Sequence, residues 1–109
     1  PRLKLAFLES GSLWVPYVIH ELKRSGKVRK DPSEYFREGR VFVSCEADEN
    51  INYLTSIVGE DSLVLASDYP HADSFREENM VKAIMEREDV PLRVREKLLS
   101  TNAQALYGL

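Results

Sequence analysis

His71 is one of only two histidines in a chain of 109 residues, and it closes the run Leu63-Val64-Leu65-Ala66-Ser67-Asp68-Tyr69-Pro70-His71. An apolar run that stops abruptly at an acid is how a buried strand delivers a carboxylate to the rim of a sheet, where it can act as metal ligand or general base. Pro70 restricts Tyr69 to extended backbone and so directs the loop. His71 is close enough to Asp68 to share a pocket. It is suited to carrying a proton or binding a metal, and equally to a hydrogen bond that holds the loop in shape.

Two further apolar runs end in acids, Leu3 to Glu9 and Val41 to Glu46. In a parallel sheet all strand C-termini lie on one side, so Glu9, Glu46 and Asp68 would share one rim. Three carboxylates there could bind a divalent cation or divide acid and base roles. Acids also finish strands as caps for the next loop or helix, and Glu46, ahead of Ala47-Asp48, reads that way. Glu9, ahead of Ser10-Gly11-Ser12, is open to either reading. His20, beside Glu21 in a helical pattern, reads as a structural or surface residue. Cys45 is the only cysteine, which excludes an intrachain disulfide and a Cys-rich metal site. Its place late in an apolar run suits a buried structural thiol better than a nucleophile. A Gly-rich phosphate loop, G-x-S-x-G and H-x-x-x-H are all missing, so nucleotide binding, serine hydrolysis and zincin chemistry have no support.

The elements that must position these acids are set by periodicity. Strands are expected at about 3–9, 41–46 and 62–68. Consecutive apolar residues such as Leu5 to Leu8 and Leu63 to Ala66 suit strands buried on both faces of a parallel sheet. Helices are expected at about 13–24, 49–58, 75–88 and 92–107, giving βαβ units. Gly11-Ser12 opens the first helix, which carries Trp14, Val15, Val18, Ile19 and Leu22 inward, and Ser25-Gly26 ends it. Asp31-Pro32-Ser33-Glu34 starts a short inserted helix, with Asp31 as cap, Pro32 at the first helical position and Glu34 closing a capping-box-like pair. Asp48 is the expected cap of the helix bearing Ile51, Leu54, Ile57 and Val58, with Gly59 ending it. Ser74 and Glu77 form a capping signature before Met80, Val81, Ile84 and Met85. Pro91 starts a last helix with Val94, Leu98, Ala103 and Leu106 inward.

The composition is that of one soluble globular domain, 43% hydrophobic and 30% charged, with a net charge of -3. Its interspersed charges argue against nucleic-acid or anionic-membrane partners, and the basic stretch Lys27 to Lys30 reads as a solvated loop. No apolar run approaches the roughly 18 to 20 residues of a membrane helix, and no signal peptide is apparent, so the expected compartment is the cytoplasm.

Asp31-Pro32-Ser33-Glu34-Tyr35-Phe36-Arg37, Glu60-Asp61 leading into Ala66-Ser67-Asp68-Tyr69-Pro70-His71, and Asn102-Ala103 with Leu106-Tyr107-Gly108 together resemble the C-terminal part of the amidohydrolase-related (amidohydrolase 2) family. That family comprises metal-dependent hydrolases and decarboxylases related to aminocarboxymuconate semialdehyde decarboxylase. The resemblance covers nearly the whole chain, and Leu5 to Tyr17 looks like the family's sixth strand and helix. It implies that residues 1–109 form a single segment of a distorted TIM barrel, its sixth, seventh and eighth strands. Asp68 would match the eighth-strand Asp that binds the catalytic divalent metal, usually zinc, or its activated water. His71 would match the His of the family's Asp-Tyr-Pro-His loop. Glu9 stands where decarboxylase members carry a catalytic His. The first-strand H-x-H and the fifth-strand His have no counterpart.

A TIM barrel takes about 250 residues and a catalytic zinc about three protein ligands. The expectation is therefore the C-terminal portion of a metal-dependent hydrolase or decarboxylase acting on a small molecule, not competent alone. Asp68, Glu9 and His71 are its candidate catalytic residues, and Asp68 its metal-site acid. The alternative is a non-catalytic α/β module. Either way, three parallel strands leave open edges that invite self-association or pairing with the missing barrel half.

Overall fold

The computed structural model describes residues 3–71 and 79–109. Strands β1 (Leu5–Phe7), β2 (Val41–Cys45) and β3 (Leu63–Leu65) form one sheet in the order β1-β2-β3. Both pairings are parallel, with Leu5 opposite Val41 and Val43 opposite Leu63. Helices α1 (Trp14–Ser25) and α2 (Pro32–Arg37) fill the first crossover, and α3 (Ile51–Val58) the second. After β3 come α4 (Met80–Met85), α5 (Leu92–Glu96), a π-helical turn (Lys97–Thr101) and α6 (Asn102–Tyr107). The last three run on as one right-handed stretch, the helix expected at 92–107.

The strands are shorter than expected at their C-terminal ends for a local reason. Glu9 and Asp68 both adopt left-handed backbone, φ 60° and 55°, which a pleated ladder cannot continue. Buried residues of β2 and β3 meet Val15 and Ile19 of α1, Ile51, Leu54 and Val58 of α3, Ile84, Val90, Val94 and Leu98 in one core. The expectation of burial on both faces holds for Leu63 and Val64 of β3 but not for β1. Leu5 and Phe7 are 48% and 41% exposed because β1 is a sheet edge, with no strand beyond it among the described residues. The same side of the molecule leaves Val18 and Leu22 of the α1 stripe exposed, and only Val15 and Ile19 of that stripe are buried.

The caps refine the boundaries. Asp31 caps α2 as expected, accepting from Ser33 N at 2.9 Å, with Pro32 in the first turn, while Ser33 Oγ rather than Glu34 supplies a second bond to Asp31 at 2.8 Å. Asn50, not Asp48, caps α3, its Oδ1 accepting from Tyr53 N at 3.1 Å. The chain turns helical only at Ile51, so Asp48 lies too far upstream to reach an unpaired N–H of that helix. Gly11-Ser12 likewise precedes the helix without capping it, because the Ser12 hydroxyl is engaged elsewhere and α1 begins at Trp14. In the basic stretch, Lys30 pairs with Glu38 at 2.5 Å and lies over the Tyr35 ring, as a solvated loop allows. Ser74, Glu77 and the first part of the helix expected at 75–88 lie outside the described residues; Met80–Met85 buries Ile84 and exposes Val81 and Met85. Among the described residues, no helix is long and apolar enough to cross a membrane.

One buried side chain ties the last helix to the sheet. Asn102, 2% exposed, donates from Nδ2 to the carbonyls of Glu60 and Leu63, both at 2.7 Å. Lys97 reinforces the same junction from the surface, reaching Glu60 and Asp61. Together these hold the start of β3, and hence the direction in which Asp68 is delivered. Asn102→Ala leaves both carbonyls without their donor and is expected to cost about 2 kcal/mol of stability in urea denaturation, whereas a loss below about 0.5 kcal/mol would contradict this role.

Candidate active-site cleft

Because the strands are parallel, the segments after β1, β2 and β3 converge at one end of the sheet. They enclose a cleft of about 410 Å³ lined by Glu9, Ser10 and Gly11 from the first, Ser44, Cys45 and Glu46 from the second, and Ala66, Asp68 and His71 from the third. All three residues singled out in the sequence are therefore brought together. One potential ligand atom each from Glu9, Asp68 and His71 lies within 4.8 Å of the others.

Glu9 reaches the cleft through its backbone. Its N–H donates to Ser44 Oγ at 3.1 Å, and Ser44 is buried on β2, so the central strand sets where the first loop turns. Asp68 is held by its own loop. The His71 N–H donates to the Asp68 carbonyl at 2.9 Å, closing a turn through the cis Tyr69–Pro70 peptide. The side chains pair as well, His71 Nδ1 standing 2.9 Å from Asp68 Oδ1. An ionised carboxylate only accepts, so the imidazole carries its proton on Nδ1 in that bond. Asp68 is 19% exposed and His71 61%, an arrangement in which the outer residue steadies the inner one. Left-handed backbone costs an L-residue about 1–2 kcal/mol, and it occurs at Glu9 and Asp68 on facing loops of one cleft.

Glu46 departs from its expected role. Asn50 supplies the helix cap, and Glu46 instead forms part of the cleft wall. Its carboxyl is pushed above the usual carboxylate range, first by burial and then by the negative charges of Glu49, Asp48 and Asp68. Electrostatically, the cleft is a place where carboxylates crowd one another. Two carboxylates and an imidazole within ligand reach of one another are donors suited to a divalent cation.

Glu49 was not among the sequence candidates, since no periodicity announces a buried acid within a loop. Its side chain turns inward and accepts from Ser12 N at 2.8 Å, Ser12 Oγ at 2.5 Å and Glu46 N at 3.1 Å. His20 is exposed on α1, consistent with a surface residue. Cys45 is fully buried on β2, and its thiol is pushed up to about 12 by burial and then by the Glu49 charge.

The Cys45 environment generates a test with a defined sign. Raising a thiol from 9.0 to about 12 lowers its thiolate fraction near pH 8 by about a thousandfold. Alkylation by iodoacetamide at pH 8 is expected to be far slower than in the urea-unfolded chain, because the thiol is both buried and held protonated. Stability should fall as pH rises above 9, where the unfolded thiol ionises and the folded one does not. Equal alkylation rates in folded and unfolded chain would contradict the buried assignment.

Comparison with known proteins fits this geometry. The family model described as amidohydrolase matches residues 1–109. Among solved structures, an amidohydrolase from Mycobacterium avium subsp. paratuberculosis is similar at 25% identity and a TM-score of 0.82, covering 98% of this chain and 28% of that one. A 5-carboxyvanillate decarboxylase from Sphingomonas paucimobilis matches at 21% identity and a TM-score of 0.67, covering 100% of this chain and 35% of that one. A dihydroxybenzoic acid decarboxylase from a Polaromonas species, solved with bound manganese and the inhibitor 2-nitroresorcinol, matches at 18% identity and a TM-score of 0.66, covering 98% of this chain and 34% of that one. No curated protein matches. The fold is that of a TIM-barrel amidohydrolase, of which this chain spans about a third of the length.

Proposed function

The chain belongs to the amidohydrolase family, and from that premise we propose that it is the C-terminal portion of a metal-dependent hydrolase or decarboxylase acting on a small molecule. The observation that carries this reading is the convergence of Glu9, Asp68 and His71 within ligand distance at the carboxyl end of the sheet, where TIM-barrel enzymes place their chemistry. The manganese bound to the Polaromonas relative supports a divalent cation in general; zinc is the ion that the family resemblance implies.

Asp68 and Glu9 would hold the cation, with the remaining ligands coming from the rest of the barrel. A divalent cation there supplies Lewis acidity, lowering the pKa of water and polarising carbonyl or carboxylate oxygens. His71 orients Asp68 through the bond between Nδ1 and Oδ1, which leaves Asp68 Oδ2 for the cation or for a proton taken from water. By the family resemblance Glu9 stands where decarboxylases carry a histidine, so histidine-based proton transfer on that side does not carry over to this chain. Glu46, with its raised affinity for a proton, forms the wall between them.

A specific observation bears on partners. The edge strand β1 exposes Leu5 and Phe7, next to an apolar hollow of about 240 Å³ bounded by α1, α2 and β2. Open edges pair with other strands, so this side receives either the rest of the barrel or, in a non-catalytic module, a second copy. Sedimentation of the 109-residue chain is expected to show concentration-dependent association, and a dilution-stable monomer would count against an uncovered edge.

The metal reading is tested by titrating the folded chain with Mn²⁺ and Zn²⁺. With only part of the ligand set on this chain, weak binding is expected, weakened further by at least about tenfold in Asp68→Asn, the size of effect typical when a metal site loses a supporting group. Unchanged stoichiometry and affinity in Asp68→Asn would sink the assignment.

A further inference from the structure

We infer that Glu49 is a positioning residue for the cleft: its buried carboxylate clamps the loop carrying Glu9 onto the loop carrying Glu46. Glu49 is 8% exposed, yet among the described residues no basic side chain meets its carboxylate; it is satisfied by three donors, the N–H and hydroxyl of Ser12 and the N–H of Glu46. Ser12 is fully buried at the other end of those bonds. Such a carboxylate repays its desolvation only when several hydrogen bonds meet it, so its geometry is held tightly.

The fit is close enough to dictate a neighbouring residue type. A Cβ on Gly11 would stand 2.9 Å from Glu49 Oε1, and Gly11 itself has φ 58°, so glycine is favoured there on both counts. The clamp is also anchored from behind. Arg87 donates from both terminal nitrogens to the Glu49 carbonyl at 3.1 Å and from one to the Ala47 carbonyl, while Asp89 holds the guanidinium fork at 2.7 and 2.8 Å. The chain of contacts runs from Arg87 through Glu49 and Ser12 to the segment Glu9-Ser10-Gly11. Glu9 has left-handed backbone that nothing in its own sequence favours. With Ser12 pinned on one side and Ser44 Oγ receiving the Glu9 N–H on the other, the loop is kept from relaxing to extended backbone and withdrawing the Glu9 carboxylate from Asp68 and His71.

The discriminating signal is the Glu9 amide, which does not touch Glu49. Residue-resolved hydrogen exchange on the metal-free chain should show that Glu49→Ala speeds exchange at Glu9 as well as Ser12 by about tenfold or more, with the core amides of Val43 and Leu54 changed far less. Val90→Ala, a core truncation outside the cleft lining, should raise exchange without singling out Glu9. Glu49→Gln keeps the packing but presents an amide nitrogen to N–H donors, and is expected to reproduce the Glu9 effect at smaller size should Glu49→Ala fail to fold. An unchanged Glu9 amide in a folded Glu49 variant overturns the inference, as does acceleration shared equally by every core amide.

A second readout rests on the metal-site reading above. If Glu49 acts through Glu9, then Glu49→Ala and Glu9→Gln should weaken Mn²⁺ binding by similar factors, and the double variant by little more than either. Fully multiplicative losses would overturn the inference. Absence of Mn²⁺ binding by the unaltered chain would count against the metal reading, and the exchange experiment would still decide the role of Glu49.

Discussion

Parallel pairing on both edges of Val41–Cys45 is what every other feature of the molecule depends on, because it sends three carboxyl ends to the same side of the sheet. The central strand does more than align its neighbours. Its buried residues supply the core, while Ser44 turns a hydroxyl toward the first loop and receives the Glu9 N–H. A serine in the middle of a buried strand carries a desolvation penalty unless it is bonded. Here that requirement becomes the device that sets where Glu9 leaves the sheet.

The two flanks of the cleft are built on different principles. On the β3 side, order is local: Asp68 and His71 are bonded through both backbone and side chains across a single turn. On the β1 side, order is imported from distant sequence, since the loop at Glu9 to Ser12 is shaped by Ser44 and Glu49, more than thirty residues on. The junction beneath β3 is likewise long-range, held by Asn102 against the carbonyls of Glu60 and Leu63. Ser-Asp-Tyr-Pro-His therefore pairs its acid with its histidine from within the motif, whereas Glu9 and Ser12 take partners from distant residues.

The edge position of β1 accounts for the other departures from simple expectation. The apolar run at Leu5 to Leu8 is written for burial on both faces, yet β1 has a neighbour on one side only and its side chains stand half in water. The outer part of the α1 stripe, Val18 and Leu22, is exposed on the same flank. The solved structures that it matches are about three times as long as this chain. The apolar surface exposed on this flank is a liability for association.

Much of this was legible in the sequence: three strand-helix units, the parallel sheet, the cap at Asp31, the buried thiol at Cys45, and the acids at the strand ends, because apolar periodicity and turn chemistry are local properties of the chain. The family resemblance also rested on contiguous residues and was upheld over the full length. What the sequence could not disclose were facts of non-local geometry. Asn50 rather than Asp48 caps α3, because capping depends on where the backbone turns helical, to within one residue. Glu46 lines the cleft and Glu49 turns inward, although both stand in one acidic stretch with nothing in their order to separate them. Local patterning determined which acids reach the rim; only the folding of Ser12, Ser44 and Arg87 against those loops decided which carboxylates face the cleft and which one holds it together.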